Sequence, residues 1–332
     1  GMVIGGTTTV TQCNNTGLIN VKNIKEKCFI GGIVGNAQSE NTQITECINT
    51  GSIDITSVDT AKSGGLIGEC EHLSVIGSTN EGDIACEEAD CEVGGLVGVG
   101  NGNIKTSTSN NTGNIQAQTN AFGFVGGLIG RSGDTTETTV EGCHNKGNCK
   151  CLSSSSCYSG GLIGELIQSV SLFNESSNTG TITSEACDTS VAGGLIGSFR
   201  RTYQPTRCNR QDLKITATIS NSVNEGAVSV TKACGTEQST DPIYIGGGLV
   251  GLVIQDMCVN VVNSVNHGSV EGEMEAFGIA QTVFTANNVA SVGAVNGAIS
   301  SHALSSNQDQ QDILKNIFVS TDVCGECDNI IG

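Results

Sequence analysis

A pentapeptide of the form Gly-Gly-Leu/Ile-Ile/Val-Gly occurs seven times in this chain, at 31–35, 64–68, 94–98, 126–130, 160–164, 193–197 and 247–251. The first six copies begin 33, 30, 32, 34 and 33 residues apart. A second motif, Asn-x-Gly, interleaves with the first at Asn15, Asn49, Asn80, Asn111, Asn145, Asn178, Asn224 and Asn266. Two motifs that hold register at a period of roughly 33 residues describe one supersecondary unit, stacked many times, whose apolar faces are buried only by its neighbours.

Each repeat reads as three short strands. One carries the glycine-rich block. The second leads to the motif asparagine, with an apolar residue five positions before it at Ile44, Val75, Val140, Phe173, Ile219 and Val261, and Thr106 as the exception. The third follows the glycine and places Ile19, Ile53, Ile84, Ile115, Ile182, Val228 and Val270 two positions on, with Cys149 standing in once. Strands this short between Gly and Asn corners fit an all-β parallel β-helix (a β-solenoid) of three strands per coil and about nine coils. Coils stacked about 4.8 Å apart make a rod of about 45 Å. The glycine after Asn-x suits a corner that needs positive φ, and a stacked asparagine can bond the turn backbone of its own and the adjacent coil. The glycine blocks lack the strand-to-helix setting of a dinucleotide site and there is no P-loop lysine, so no cofactor is expected.

The blocks resemble the GLUG motif, a glycine-leucine-apolar-glycine repeat of bacterial IgA-cleaving metallopeptidases and adhesin-like surface proteins, over residues 1 to about 280. The resemblance implies a β-helical stalk or passenger region of an extracellular protein. In those peptidases the chemistry lies in a separate zinc domain with a His-Glu-x-x-His helix; the four histidines here, His72, His144, His267 and His302, form no such motif. The cysteine content departs from the bacterial members and points to a eukaryotic secreted protein.

Composition narrows the partners. A formal charge of −18 with only 15 Lys and Arg repels nucleic acid and anionic lipid, and no apolar run is long enough for membrane insertion as a helix. Sixteen cysteines without paired CxxC or Cys/His sets favour disulfides, in an oxidising, secreted or cell-surface setting, over metal. Sequons at Asn14, Asn110 and Asn174 agree with that setting. Residue 1 is Gly and no signal peptide is visible, which suggests a mature or excised segment. Register suggests the pairs Cys13–Cys47, from stacked positions, and Cys86–Cys91, Cys143–Cys149 and Cys151–Cys157, each closing an arc of one coil. Cys187–Cys234 would join neighbouring coils, and Cys324–Cys327 reads as a local staple. Cys28, Cys70, Cys208 and Cys258 receive no partner.

The spacing breaks at an insertion, 199–218, that holds Arg200, Arg201, Arg207, Arg210 and Lys214, including four of the five arginines in the chain. This positive loop on an acidic rod is a candidate contact for an acidic patch on another subunit or for sulfated or uronic glycan; the alternative is a loop whose arginines pair with nearby carboxylates. The repeat domain is expected over 1–300 and a capping or docking segment over 301–332. Ser306 would N-cap a short C-terminal helix over about 307–318, with Ile313, Leu314, Ile317 and Phe318 on one face. Carboxylates scattered over turns without an aromatic cleft argue against a carbohydrate-active enzyme, so the expected protein is not an enzyme. Two functions remain: a secreted structural solenoid, filament subunit or stalk, that self-associates head to tail, or an adhesin that binds glycan through the arginine loop.

Overall fold

The computed structural model describes residues 1–133, 137–167, 170–200, 216–234, 242–253, 258–280, 285–287, 289–301 and 317–319. Those residues form a parallel β-solenoid. Its second coil shows the plan: Val34–Gln38 lies in sheet A, Asn41–Thr45 in sheet B, Ile48–Asn49 in sheet C and Ile53–Gly64 in sheet D. Among the described residues the order recurs from coil to coil as far as Val270–Phe277, and strands pair in parallel with the coils before and after. Sheets A, B and C are eight, nine and ten strands deep. Seven coils open on a copy of the glycine block.

Four ladders therefore replace the expected three strands per coil. The extra one arises because the strand leading to each asparagine is broken by a left-handed residue three positions before it. Gln12, Glu46, Gly77, Thr108, Gly142, Glu175, Asn221 and Asn263 all have φ between 47° and 57°. The chain turns a corner there, and the asparagine begins a two-residue strand of its own.

The asparagines form the spine of the rod. Asn49 donates through Nδ2 to the Gly51 carbonyl at 2.9 Å and to Asn80 Oδ1 at 2.7 Å. The same pair of bonds recurs from Asn15 to Asn224, and Asn266 closes the series on Ser291 Oγ at 3.3 Å. From Asn49 onward each of these side chains is fully buried and presses on the second glycine of a block: a Cβ on Gly65 would lie 2.2 Å from Asn80 Cγ. The first glycine is equally constrained, since a Cβ on Gly126 would sit 1.8 Å from the Ile129 carbonyl oxygen. Close backbone approach, more than positive φ, explains the glycines of the block.

Two apolar cores flank this spine. The first gathers Leu66, Ile67, Ile44, Val75, Phe173 and their equivalents from sheets A to C. The second lies within sheet D, whose long strand bends at a register shift between Glu87 and Asp90 so that its two halves close over Ile53, Ile84, Ile115, Cys149 and Ile182. Further along the rod the strand separates outright, into Cys149–Ser153 and Ser156–Gly160.

Disulfides join Cys86 to Cys91, Cys151 to Cys157 and Cys187 to Cys234. Such bonds mark an oxidising environment. Two other expected pairs are corrected. Cys13 and Cys47 are free thiols because they occupy a serine ladder, in which each backbone N–H donates to the side chain stacked above: Cys13 N–H to Cys47 Sγ at 3.4 Å, Cys47 N–H to Ser78 Oγ at 3.0 Å, Ser78 N–H to Ser109 Oγ at 3.1 Å. Cys143 takes the same part toward Ser176 in the first core, whereas Cys149 replaces an isoleucine in the second, so the two thiols lie on opposite sides of Asn145. Cys324 and Cys327 lie outside the described residues.

The insertion is shorter than its expected bounds. Phe199 and Arg200 end the sheet A strand Ile196–Arg200, Thr216–Ser220 resumes in sheet B, and 201–215 lie outside the described residues. Of the expected C-terminal helix, 307–316 lie outside them too. Ile317 and Phe318 belong instead to the strand Ile317–Val319, where β-favouring residues extend sheet C beside Val289–Ser291. Among the described residues no helix is long and apolar enough to cross a membrane.

Candidate functional site

The outward side chains of sheet D and sheet A meet beside the glycine corner. On sheet D the register stacks Phe29, Lys62, Glu92, Phe124, Tyr158 and Val191 in one row. On sheet A the facing row runs Asn36, Glu69, Val99, Arg131, Glu165 and Ser198. Alternating strand geometry sends these residues away from both cores, and the corner turns the two rows toward each other.

The result is a zipper of alternating charge along the rod. Lys62 bonds Glu69 and lies 3.6 Å from Glu92. Arg131 reaches Glu92 through Nη1 at 2.7 Å and Glu165 through Nε at 2.9 Å. Arg200 Nε lies 2.6 Å from the other oxygen of Glu165. The Glu165 side chain is 0% exposed, which requires such partners, because an unpaired buried carboxylate is costly. Burial pushes the Glu165 carboxyl above its ordinary value despite the opposing pull of Arg200 and Arg131. Burial works against the charge on Arg131, but Glu92 and Glu165 more than restore it and hold the guanidinium above its ordinary value. Tyr158 is also pushed up, by burial and then by Glu165.

Aromatic rings line the same seam. Phe124 and Tyr158 stack with centroids 5.3 Å apart, and the Arg131 guanidinium lies 5.2 Å over Phe124. The Lys27 and Lys62 ammonium groups each sit 5.9 Å over Phe29. A cleft of about 330 Å³ opens here, lined by Thr60, Asp90, Glu92, Phe122, Phe124, Arg131 and Arg200. Larger depressions of about 620 and 440 Å³ elsewhere on the rod have no Phe or Tyr in their walls.

Of the residues singled out in the sequence, Arg200 alone of the arginine loop is described, and its guanidinium is engaged by Glu165, in line with the loop that pairs its arginines. Arg201, Arg207, Arg210 and Lys214 lie outside the described residues. The sequon at Asn14 is exposed; Asn110 and Asn174 are half-buried, and Asn174 Oδ1 accepts from Ser220 Oγ and Asn221 Nδ2. The zipper's ion pairs span 7 to 39 residues, and its residue types change from coil to coil, so no single motif marks it. The available signal was the position in the repeat: Lys62, Glu92, Phe124 and Tyr158 each stand two residues before the first glycine of a block. Among the described residues no group of His, Cys, Asp and Glu is placed to hold a metal. No family model, curated protein or solved structure matches this chain.

Proposed function

We propose that this protein is a secreted structural β-solenoid, a non-catalytic filament subunit or surface stalk of the kind its GLUG-like blocks imply, and that it assembles end to end with a second copy. The observation that supports this reading is the spine itself, in which each inner asparagine donates to the coil above and accepts from the coil below, so that coils of two copies present matching partners. Val10, Ile19 and Val21 are only half-buried, whereas the residues stacked above them, Ile44, Ile53 and Ile55, are at most 1% exposed. Asn15 donates to Asn49 Oδ1, yet its own Oδ1 receives only the Gly17 N–H, in place of the stacked asparagine amide that every later member of the ladder receives.

Gly17 sharpens the point. At each later corner glycine a Cβ would strike the carbonyl of the coil below, as Gly51 shows with 2.1 Å to Gly17 O. At Gly17 the nearest atom is Asn15 Oδ1 at 3.6 Å and no positive φ is required, so nothing within the chain demands a glycine there. A coil stacked beneath it would demand it, whether that coil comes from a preceding segment or from a second copy. Unpaired strand edges with open apolar rungs favour association. The oxidising setting marked by the disulfides accords with secretion.

Negative-stain electron microscopy of native, unreduced protein tests the reading, with Gly17→Ala as the internal control. The expected result is thin fibres with an axial repeat near ~45 Å and, for Gly17→Ala, folded rods that no longer join. Isolated short rods from the unaltered chain would overturn end-to-end assembly.

A further inference from the structure

We propose that the cleft between sheets A and D binds an uncharged saccharide, with Phe122 as the stacking platform and Asp90, Glu92, Arg131 and Arg200 as the polar contacts. Phe122 is 50% exposed, in a chain with only eight Phe, three Tyr and no Trp, and it lines the cleft. Its neighbour Phe124 is only 7% exposed, stacked on Tyr158 and held against Arg131, so Phe122 is the ring left with a surface to offer. Asp90 Oδ1 accepts the Phe122 backbone N–H at 3.1 Å, which fixes that carboxylate at the edge of the ring. Glu92 is 8% exposed, and its buried Oε2 accepts no hydrogen bond, lying 3.6 Å from Lys62.

Charge selects the ligand class. Around the cleft, Lys62, Arg131 and Arg200 face Glu69, Asp90, Glu92 and Glu165, and each cation is already paired. A sulfate or uronate would have to break those pairs and face a carboxylate excess. A neutral ring carries hydroxyls that both donate to carboxylates and accept from guanidinium, while its apolar face rests on a phenyl group. The proposal does not rest on end-to-end assembly, and each fails independently of the other.

The test is calorimetric titration of the whole chain with neutral hexasaccharides (cellohexaose, maltohexaose, mannohexaose and laminarihexaose) beside a heparin hexasaccharide. The expected result is saturable binding of at least one neutral probe, weakened about tenfold or more by Phe122→Ala, a change of about 1.4 kcal/mol. Because Phe122 is half exposed, that variant should melt with the unaltered chain, and a matching melting curve separates loss of the site from loss of the fold. Binding of no neutral probe, binding indifferent to Phe122→Ala, or Phe122-dependent binding of the heparin probe alone overturns the proposal.

Discussion

The two cores on either side of the asparagine spine solve the same stacking problem differently. In the first, inward side chains come from three separate sheets, and the cysteines among them, Cys47, Cys70 and Cys143, are all free. In the second, one long strand doubles back on itself, and four of its six cysteines, Cys86, Cys91, Cys151 and Cys157, are bonded, while Cys28 and Cys149 are free. The difference is geometric. A doubled-back strand brings two inward positions of one coil face to face, whereas in the first core Cys47 and Cys143 share the hydrogen bonds of the serine ladder and the Cys70 thiol donates to the Val99 carbonyl. Burial pushes the Cys149 thiol up to about 12, in keeping with a side chain that packs where other coils place an isoleucine. The spine and first core are set by the repeat; the second core is where coils differ, and its outer surface carries the cleft.

The sharpest break in that comparison is at the spine. Gly126→Ala forces a Cβ to within 1.8 Å of a backbone oxygen on both cores' shared corner. It should cost more than ~4 kcal/mol and abolish cooperative thermal unfolding, read by circular dichroism. Gly17→Ala, in open space, should leave the melting temperature of the isolated chain unchanged.

Disulfides come next. By chain-entropy accounting, replacing Cys187 and Cys234, 47 residues apart, by serine should cost about 4 kcal/mol. Replacing Cys86 and Cys91, 5 residues apart, should cost about 2 kcal/mol. Chemical denaturation measures both. Amide exchange after the second change should rise in sheet D and not around Ile44 or Val75. Equal loosening of both cores would show that they are one cooperative unit.

Within the spine, Asn111→Ala removes the bonds to Gly113 O and Asn145 Oδ1 and leaves Asn80 Nδ2 with the Gly82 carbonyl alone. A loss of about 2–3 kcal/mol is expected by denaturant titration. Asn15→Ala in the first coil should cost about 1 kcal/mol, since its Oδ1 receives only the Gly17 N–H.

The cleft gives a pH-dependent test. Because burial raises the folded-state pKa of Glu165, the protonated form favours folding. The stability of the unaltered chain relative to Glu165→Gln should therefore grow as pH falls through the raised value, and be complete below the ordinary 4.5. Paired thermal melts across that window measure it; a relative stability that shrinks on acidification would show that Arg131 and Arg200 outweigh the burial.

Much of this molecule was legible in the order of its residues. The glycine blocks and Asn-x-Gly corners announce stacking directly, because both are needed in every coil. The inward Ile and Val ladders follow from their fixed distance to the asparagine. What stayed hidden depends on contacts between coils. For the Lys62 to Arg200 zipper the repeat supplies the positions but not the pairing, which appears only when the rows of sheets A and D are placed in register. The cysteine pairs failed where stacking looked sufficient, at Cys13 and Cys47, because proximity alone does not show that both sulfurs are already engaged in a ladder. The fourth sheet was hidden for another reason. Its left-handed corner is occupied by Gln12, Glu46, Thr108, Glu175, Asn221 and Asn263 as well as by two glycines, so no residue type marks it.

That corner offers the finest test of how the two cores divide the coil. Thr108 holds φ at 47°, a left-handed conformation that is unfavourable for a β-branched side chain. Its counterparts Gly77 and Gly142 in the coils below and above adopt φ of 57° without a side chain to strain. The Thr108 N–H donates to the Glu141 carbonyl, so the corner is held by its neighbour and does not relax alone. Thr108→Gly keeps that bond and removes the penalty, at the expense of some extra freedom in the unfolded chain. The net expectation is a gain of about 0.5–1 kcal/mol, seen as a small upward shift in melting temperature. Glu46→Gly, unbranched at the same corner, should gain less. If both substitutions destabilise instead, the corner is set by its side-chain contacts, and the boundary between the first core and the spine is softer than the ladder implies.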